Sequence, residues 1–163
     1  MIKQYALLIG FVLSVFCVRS QEITASIVDS GFIYQKEPYP SCHASTIVET
    51  PEGYVAAWFG GTYEKYPDVC IYSARFLDGK WTKPEKVADG VEPKYLTKNP
   101  CWNPVLFRLD NGDVVLYYKV GPCYTKWFGM YIVSKDNGKT WGDPQRINRN
   151  LFGPIKNKPF RTD

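Results

Sequence analysis

The stretch Ser134-Lys135-Asp136-Asn137-Gly138-Lys139-Thr140-Trp141 decides the fold of this chain. The Asp136 carboxylate of such a turn accepts hydrogen bonds from nearby backbone amides, and Gly138 supplies a left-handed residue without steric cost. Trp141 is expected to begin the next strand as a large apolar plug. The stretch therefore predicts a β-hairpin whose structural residues are Ser134, Asp136, Gly138, Thr140 and Trp141.

The chain also repeats itself at about sixty residues. Cys42 and Gly53 both shift by 59 positions to reach Cys101 and Gly112. The run Asp78-Gly79-Lys80-Trp81 is a degenerate copy of the hairpin at 134–141, and Trp81 recurs as Trp141. The pattern within each repeat predicts four short strands joined by turns. Such a unit corresponds to one blade of a β-propeller.

These repeats predict an all-β fold, a partial β-propeller of about two and a half blades. The blades are expected at about 42–88 and 101–148, with the start of a third at 153–163 and an additional strand at Ala25–Tyr34. Aromatic content of 16%, with 12 prolines and 13 glycines, agrees with strands and many turns. Because a closed propeller needs about four to eight blades, the sequence is expected to be the N-terminal part of a longer protein.

The first twenty residues predict a secretory signal peptide. Lys3 supplies positive charge, residues 5–18 form an apolar run, and cleavage is expected between Ser20 and Gln21. The apolar run is short for a membrane span, which needs about 20 residues. The mature chain is therefore predicted to be secreted or periplasmic in a bacterium, without membrane insertion.

The charge balance of the mature chain does not indicate a polyanionic partner. The signal holds two of the 20 basic residues and none of the 16 acidic ones, which leaves a net charge of +2. No basic run is present, so nucleic acid is not a predicted partner.

Four cysteines remain after cleavage: Cys42, Cys70, Cys101 and Cys123. They permit two disulfides with three connectivities, or free buried thiols. Their spacing matches no zinc motif and the chain has one histidine, so neither a metal nor another cofactor is predicted.

The hairpin, the four-strand repeat and several short motifs together resemble the sialidase superfamily of BNR-repeat (Asp-box) propellers. The resemblance is to its secreted bacterial exo-α-sialidase-like branch, and it implies a six-bladed propeller. It covers residues from about 40 to the end of the chain, and it rests on the motifs at 42–46, 58–62, 103–107 and 153–159.

In that family three arginines hold the carboxylate of sialic acid, an aspartate is the acid/base, and a tyrosine paired with a glutamate is the nucleophile. The resemblance places His43 where the first arginine is expected, and it places Asp68 at the acid/base position with Glu64 in reserve. Histidine is only partly charged near neutral pH, whereas arginine is always charged, so His43 favours an acidic sugar other than sialic acid. His43 is also a candidate catalytic residue, because an imidazole can act as a general acid or base near neutral pH. His43 as a buried imidazole and Asp68 as a turn cap remain the structural alternatives.

Six further residues are candidate substrate ligands. Trp102 and Asn103 offer an apolar face beside an amide, which suits a sugar ring, although core packing of Trp102 explains it equally well. An extended segment with alternating side chains would direct Lys156 and Lys158 to one side and Asn157 to the other. These two lysines and Lys119 could supply positive charge, or they could be solvated surface charges.

The leading hypothesis is a secreted sialidase-like exo-glycosidase, a hydrolase of carbohydrate metabolism, acting on terminal sialic acid or a related acidic sugar. A uronate-directed polysaccharide lyase or rhamnosidase, and a glycan-binding propeller without catalysis, are the alternatives. The predicted partner is an acidic carbohydrate or glycoconjugate. Without the opposing blades of a closed ring, the chain itself is expected to be inactive.

Overall fold

The computed structural model describes residues 23–36, 39–92, 97–149, 151–160 and 162. The chain divides into two compact units, residues 1–31 and 32–163. The predicted signal peptide lies outside the described residues. The described part of the first unit, residues 23–31, is exposed and forms no strand.

The expected strand at Ala25–Tyr34 is absent, which corrects the prediction from sequence. A β-strand needs a neighbour to satisfy its backbone groups, and no strand in the described ranges pairs with this run. Its last two residues, Ile33 and Tyr34, instead pack against an aromatic cluster formed around Trp58 and Tyr39.

The first sheet is antiparallel and holds the first sequence repeat. It comprises β1 (Ser41–Thr50), β2 (Gly53–Gly61), β3 (Cys70–Leu77), β4 (Lys80–Trp81) and β5 (Glu85–Ala88). The first four lie side by side in chain order, and β5 also pairs with β3. The short strands β6 (Val91–Glu92) and β7 (Thr97–Lys98) pair with each other.

The second sheet holds the second repeat and has the same antiparallel order. It comprises β8 (Cys101–Arg108), β9 (Val114–Val120), β10 (Phe128–Ser134) and β11 (Gln145–Arg146). A 3-10 turn, Tyr124–Lys126, precedes β10. The described residues contain no helix long and apolar enough to cross a lipid bilayer.

The two sheets share one apolar core. Its buried residues come from β2, β3, β5, β8, β9 and β10 and from the residue before β3, and they include Phe59, Ile71, Leu106, Leu116 and Ile132. Hydrogen bonds also join the two repeat units. The Cys101 amide donates to the Val69 carbonyl at 3.0 Å, and the Leu106 amide donates to Thr46 Oγ1 at 3.2 Å. The predicted all-β fold is confirmed, with one antiparallel sheet for each sequence repeat.

Two tight turns form where the sequence has Asp-Gly and Asn-Gly pairs. Asp78 and Gly79 have φ of 49° and 78°, and Asn137 and Gly138 have φ of 57° and 78°. Two consecutive left-handed residues are the signature of a type I′ hairpin, which explains the Asp-Gly and Asn-Gly pairs. The same turn therefore closes the third strand of both units.

Trp141 does not begin the next strand, contrary to the sequence prediction. Residues 141–144 are irregular, and β11 starts only at Gln145. One hairpin bond remains, from the Gly142 amide to the Val133 carbonyl at 2.8 Å. Pro144 has no N–H to donate, which explains why the ladder is interrupted there.

Candidate functional site

The Asp-box hairpin is a closed hydrogen-bonded turn. Asp136 Oδ1 accepts from the Thr140 amide at 2.8 Å and from the Ser134 hydroxyl at 2.8 Å, and Asp136 Oδ2 accepts from Thr140 Oγ1 at 2.5 Å. These bonds, that of the Thr140 hydroxyl first, lower the pKa of Asp136 to about 2. The Gly138 amide donates to Ser134 Oγ at 2.8 Å. The side chains of Ser134, Asp136 and Thr140 therefore form hydrogen bonds within the turn itself.

This hairpin also joins the two blades. The Asn137 amide group donates to Glu52 Oε1 of the β1–β2 turn at 2.8 Å, and Glu52 forms an ion pair with Arg75 at 3.5 Å. Gly138 lies directly against the buried Val55. The hairpin therefore has a structural role at the contact between blades.

A cavity of about 480 Å³ opens where the first strands of the two blades meet. It brings together three of the predicted site residues, His43, Asn103 and Lys156. The His43 ring is exposed, and its centre lies 5.6 Å from that of Phe59. The cavity is completed by Ala44, Ser45, Pro104 and Ile155. We call it the His43 cavity.

Matching β-bulges shape the wall of the His43 cavity in both blades. The register with the neighbouring strand shifts between His43 and Thr46 in β1, and between Trp102 and Val105 in β8. Ala44 and Asn103, 59 residues apart, have positive φ of 54° and 41° at these bulges. Bulges redirect side chains, and asparagine tolerates the left-handed region better than most residues. The repeated bulge places Ala44 of one blade and Asn103 of the other in the wall of the cavity.

The segment 153–159 closes one side of the His43 cavity. Lys119 Nζ donates to the Pro154 carbonyl at 2.7 Å, and Lys158 Nζ donates to the Ile47 carbonyl of β1. Lys156, which lies between these two attachments, lines the cavity. Residues 155–157 form a bend and not the extended segment expected from sequence, so the three lysines have three different environments.

Lys119 is fully buried, although it was predicted as a substrate ligand. Burial lowers its pKa from 10.5 to about 8. Burial also lowers the pKa of Lys158, whereas Asn157 is exposed and does not line the cavity. In the structure, Lys119 and Lys158 fix the segment 153–159 in place through hydrogen bonds to backbone carbonyls. Lys156 is the lysine that lines the cavity.

Asp68 lines a different cavity, of about 280 Å³, together with Thr62, Tyr72, Lys86 and Lys98. Its carboxylate accepts from the Thr62 hydroxyl at 2.6 Å and from the Thr62 amide at 3.1 and 3.2 Å. Both cavities lie at the same end of the first sheet, because Ser41 at the start of β1 pairs with Gly61 at the end of β2. The structure does not bring Asp68 into the His43 cavity.

The remaining candidates have distinct positions. Glu64 is exposed in the loop between β2 and β3 and lines neither cavity. Trp102 is 4% exposed, donates its indole N–H to the Gly121 carbonyl at 2.8 Å and packs on Trp127 at 5.1 Å. Of the two interpretations of Trp102, this geometry matches core packing.

Sequence reasoning missed Ala44, Ser45, Pro104 and Ile155 as lining residues. The 59-residue repeat carried a usable signal, since it relates Ser45 to Pro104. All four described cysteines are free thiols, Cys70 and Cys101 being buried. Within the described ranges, no group of three acidic, histidine or cysteine side chains could hold a metal ion.

Comparisons with known proteins support the architecture. Residues 53–163 match the family described as BNR_2, BNR repeat-like domain. The fold is similar to Hadza microbial sialidase Hz136, with a TM-score of 0.57, 14% identity and coverage of 64% of this chain and 25% of that one.

A protein of unknown function from Dyadobacter fermentans DSM 18053 is also similar, with a TM-score of 0.53 and 22% identity over 69% of this chain and 38% of that one. The chain thus spans well under half the length of either structure. A comparison with curated proteins gives no match. The match over most of the chain and the two blades show that this protein belongs to the BNR repeat-like domain family and has the fold of part of a sialidase-like β-propeller.

Proposed function

We propose that this chain contributes the anion-binding part of a sialidase-like exo-glycosidase that acts on terminal sialic acid or a related acidic sugar. One observation carries the proposal. The His43 cavity unites an ammonium group from Lys156, an imidazole and an amide where two blades meet. The sialidase among the similar folds is consistent with the same substrate class.

Each lining residue matches a feature of an acidic sugar. Lys156 is exposed at the cavity and can pair with a carboxylate, and His43 can add a hydrogen bond or a second charge. Asn103 and Ser45 offer hydrogen bonds to ring hydroxyls. Ile155 offers an apolar surface to the sugar ring.

Asp68 is the proposed acid/base, with Glu64 in reserve. Its support is the strand register, which brings the loop that ends at Asp68 to the same end of the first sheet as His43. A general acid must lie within hydrogen-bond reach of the glycosidic oxygen. The proposal therefore requires a substrate that extends from the His43 cavity towards this loop.

A glycan-binding propeller without catalysis is the second candidate, and the Asp68–Thr62 hydrogen bonds favour it. A carboxylate held by three bonds within its own loop serves to order that loop. A uronate lyase or rhamnosidase is a third candidate, because the exposed His43 is a suitable general base.

Binding by titration calorimetry or ligand-observed NMR tests the anion site. The full chain should bind the methyl glycoside of N-acetylneuraminic acid or of glucuronic acid, and it should bind their methyl esters much more weakly. Lys156→Gln should weaken binding of the acids about five- to tenfold, as loss of a partly exposed charge pair implies. Lys135→Gln, which removes an exposed lysine from the Asp-box, is the matched control.

Equal binding of acid and ester, or equal effects of the two lysine variants, would contradict the proposal. A fluorogenic sialoside separates hydrolysis from binding. Two blades by themselves are expected to release no product from it, so turnover is measured on a full-length relative, in which the change that corresponds to Asp68→Asn should abolish turnover and preserve methyl glycoside binding if Asp68 is the acid/base. Binding with no turnover by the unsubstituted full-length relative would favour the glycan-binding candidate, and an ultraviolet-absorbing unsaturated product from a uronate polymer would favour a lyase.

Export is a further part of the proposal, and it rests on the residues of the N-terminal signal. Expression of the full chain in a bacterium followed by N-terminal sequencing should give a mature chain that begins at Gln21. A cytoplasmic product that retains Met1 would contradict export.

A further inference from the structure

The loop between β2 and β3 presents two tyrosines to solvent. Tyr63 and Tyr66 are 56% and 41% exposed, and their ring centres lie 4.9 Å apart. The planes are tilted by 51°, so the two rings form a shallow corner. Single exposed aromatic residues are common, but two adjacent rings form a surface large enough to cover one face of a sugar ring.

The loop is ordered before any ligand arrives. Thr62 and Asp68 join its two ends through three hydrogen bonds. Inside it, the Tyr66 amide donates to the Tyr63 carbonyl at 3.0 Å, and the Val69 amide donates to the Tyr66 carbonyl at 3.0 Å. A ligand that binds a preorganised surface avoids the entropic cost of ordering the loop.

The position of the loop relates it to the His43 cavity. Ser41 pairs with Gly61, the last residue before the loop, and His43 pairs with Phe59. His43 therefore lies two residues, about 7 Å along a strand, from the point where the loop leaves the sheet. This spacing is within the reach of an oligosaccharide that starts in the His43 cavity.

We infer that Tyr63 and Tyr66 form a second subsite, which stacks on the neutral sugar next to the acidic terminal residue. The inference rests on the proposed function, since the acidic residue is taken to occupy the His43 cavity. It restricts the substrate class to glycans of two or more sugars. It also assigns Asp68 the task of holding the tyrosine pair in place, whether or not it transfers a proton.

The test compares short and extended ligands on the full chain. Methyl glycosides of N-acetylneuraminic acid and of glucuronic acid are the short probes, and the same acids linked to lactose are the extended ones. The wild-type chain should bind the extended probe of the preferred acid about three- to tenfold more tightly, as expected for one sugar–aromatic contact.

Alanine and phenylalanine variants identify the surface. Tyr66→Ala and Tyr63→Ala should remove the gain from lactose and leave binding of the short probe unchanged, whereas Tyr66→Phe should keep most of it. Tyr54→Ala is the control, because Tyr54 is 43% exposed at the opposite end of β2. Circular dichroism and thermal unfolding show whether each variant is folded.

The outcomes separate the two proposals. Binding of the short probe without any gain from lactose, or a gain that both alanine variants retain, overturns the tyrosine subsite and leaves the anion site standing. Absence of binding by both acids, short and extended, overturns the proposed function and the subsite together. A loss of short-probe binding in a folded Tyr66→Ala chain also overturns the inference, because the ring would then belong to the anion site.

Discussion

Two turn glycines provide a matched test of how the blades pack. Gly79 and Gly138 each have φ of 78° and each follows a left-handed Asp or Asn in a type I′ turn. A Cβ atom built on Gly79 meets nothing within 4 Å. The same atom on Gly138 would lie 2.8 and 3.0 Å from the two methyl groups of Val55 in the other blade.

Substitution by alanine should therefore lower the free energy of unfolding more at Gly138 than at Gly79. The left-handed conformation costs an alanine about 1 kcal/mol at either glycine. At Gly138 the added methyl group also overpacks the fully buried Val55, which costs about 1–3 kcal/mol more. We expect Gly79→Ala to lower the free energy of unfolding by about 1 kcal/mol and Gly138→Ala to lower it by about 2–4 kcal/mol.

Urea unfolding of both variants, followed by tryptophan fluorescence, measures the difference. The slope with urea should be unchanged, so that the midpoints report stability. In a Val55→Ala background the two glycine substitutions should become equally costly, because the obstructing methyl groups are gone. Equal losses in the wild-type background would refute the close contact between the Asp-box and the first blade.

Three more predictions concern charged and polar groups. Lys119→Met should raise the free energy of unfolding at pH 7 by about 2 kcal/mol. The methionine avoids the cost of burying the ammonium, about 3 kcal/mol, and loses one hydrogen bond, about 1 kcal/mol. Because the pKa of Lys119 is about 8, the wild type should gain stability as the pH rises from 8 to 10.5. Denaturation curves should therefore show the extra stability of the methionine variant shrinking over that range. Asp136→Asn should lower the free energy of unfolding by about 1–2 kcal/mol at neutral pH. Unfolding measured at decreasing pH should show this difference disappearing between about pH 4 and pH 2, because the lowered pKa of Asp136 stabilises the fold only while the carboxylate is ionised. Asn137→Ala should cost about 1–2 kcal/mol, measured by thermal unfolding, since alanine loses an exposed bond to Glu52 and is disfavoured in the left-handed conformation.

Local features of the fold were predictable from the sequence. The turn pairs at Asp78-Gly79 and Asn137-Gly138 have the left-handed backbone that their residue types favour. The bonds of Asp136 also lie within its own turn, as predicted. Both features depend on residues fewer than five positions apart, so a short stretch of sequence contains all the groups that interact. The strand expected at Ala25–Tyr34 failed for the opposite reason, since strand formation requires a distant partner.

The candidate site was less predictable than the fold. Lys119, Lys156 and Lys158 are alike in sequence, but one is buried against Pro154, one faces the His43 cavity and one contacts a β1 carbonyl. The side-chain chemistry is the same in all three. Their difference comes from the path of the backbone over two blades, and the sequence does not reveal that path.

Sequence information was sufficient to predict repeated β-units with Asp-Gly and Asn-Gly turns, because these features arise from strand periodicity and from backbone preferences of neighbouring residues. The tertiary structure alone decided that His43, Asn103 and Lys156 share a cavity and that Asp68 does not. The physical reason is that a cavity forms between segments up to 113 residues apart in the sequence, which meet only when β1 and β8 pack against each other.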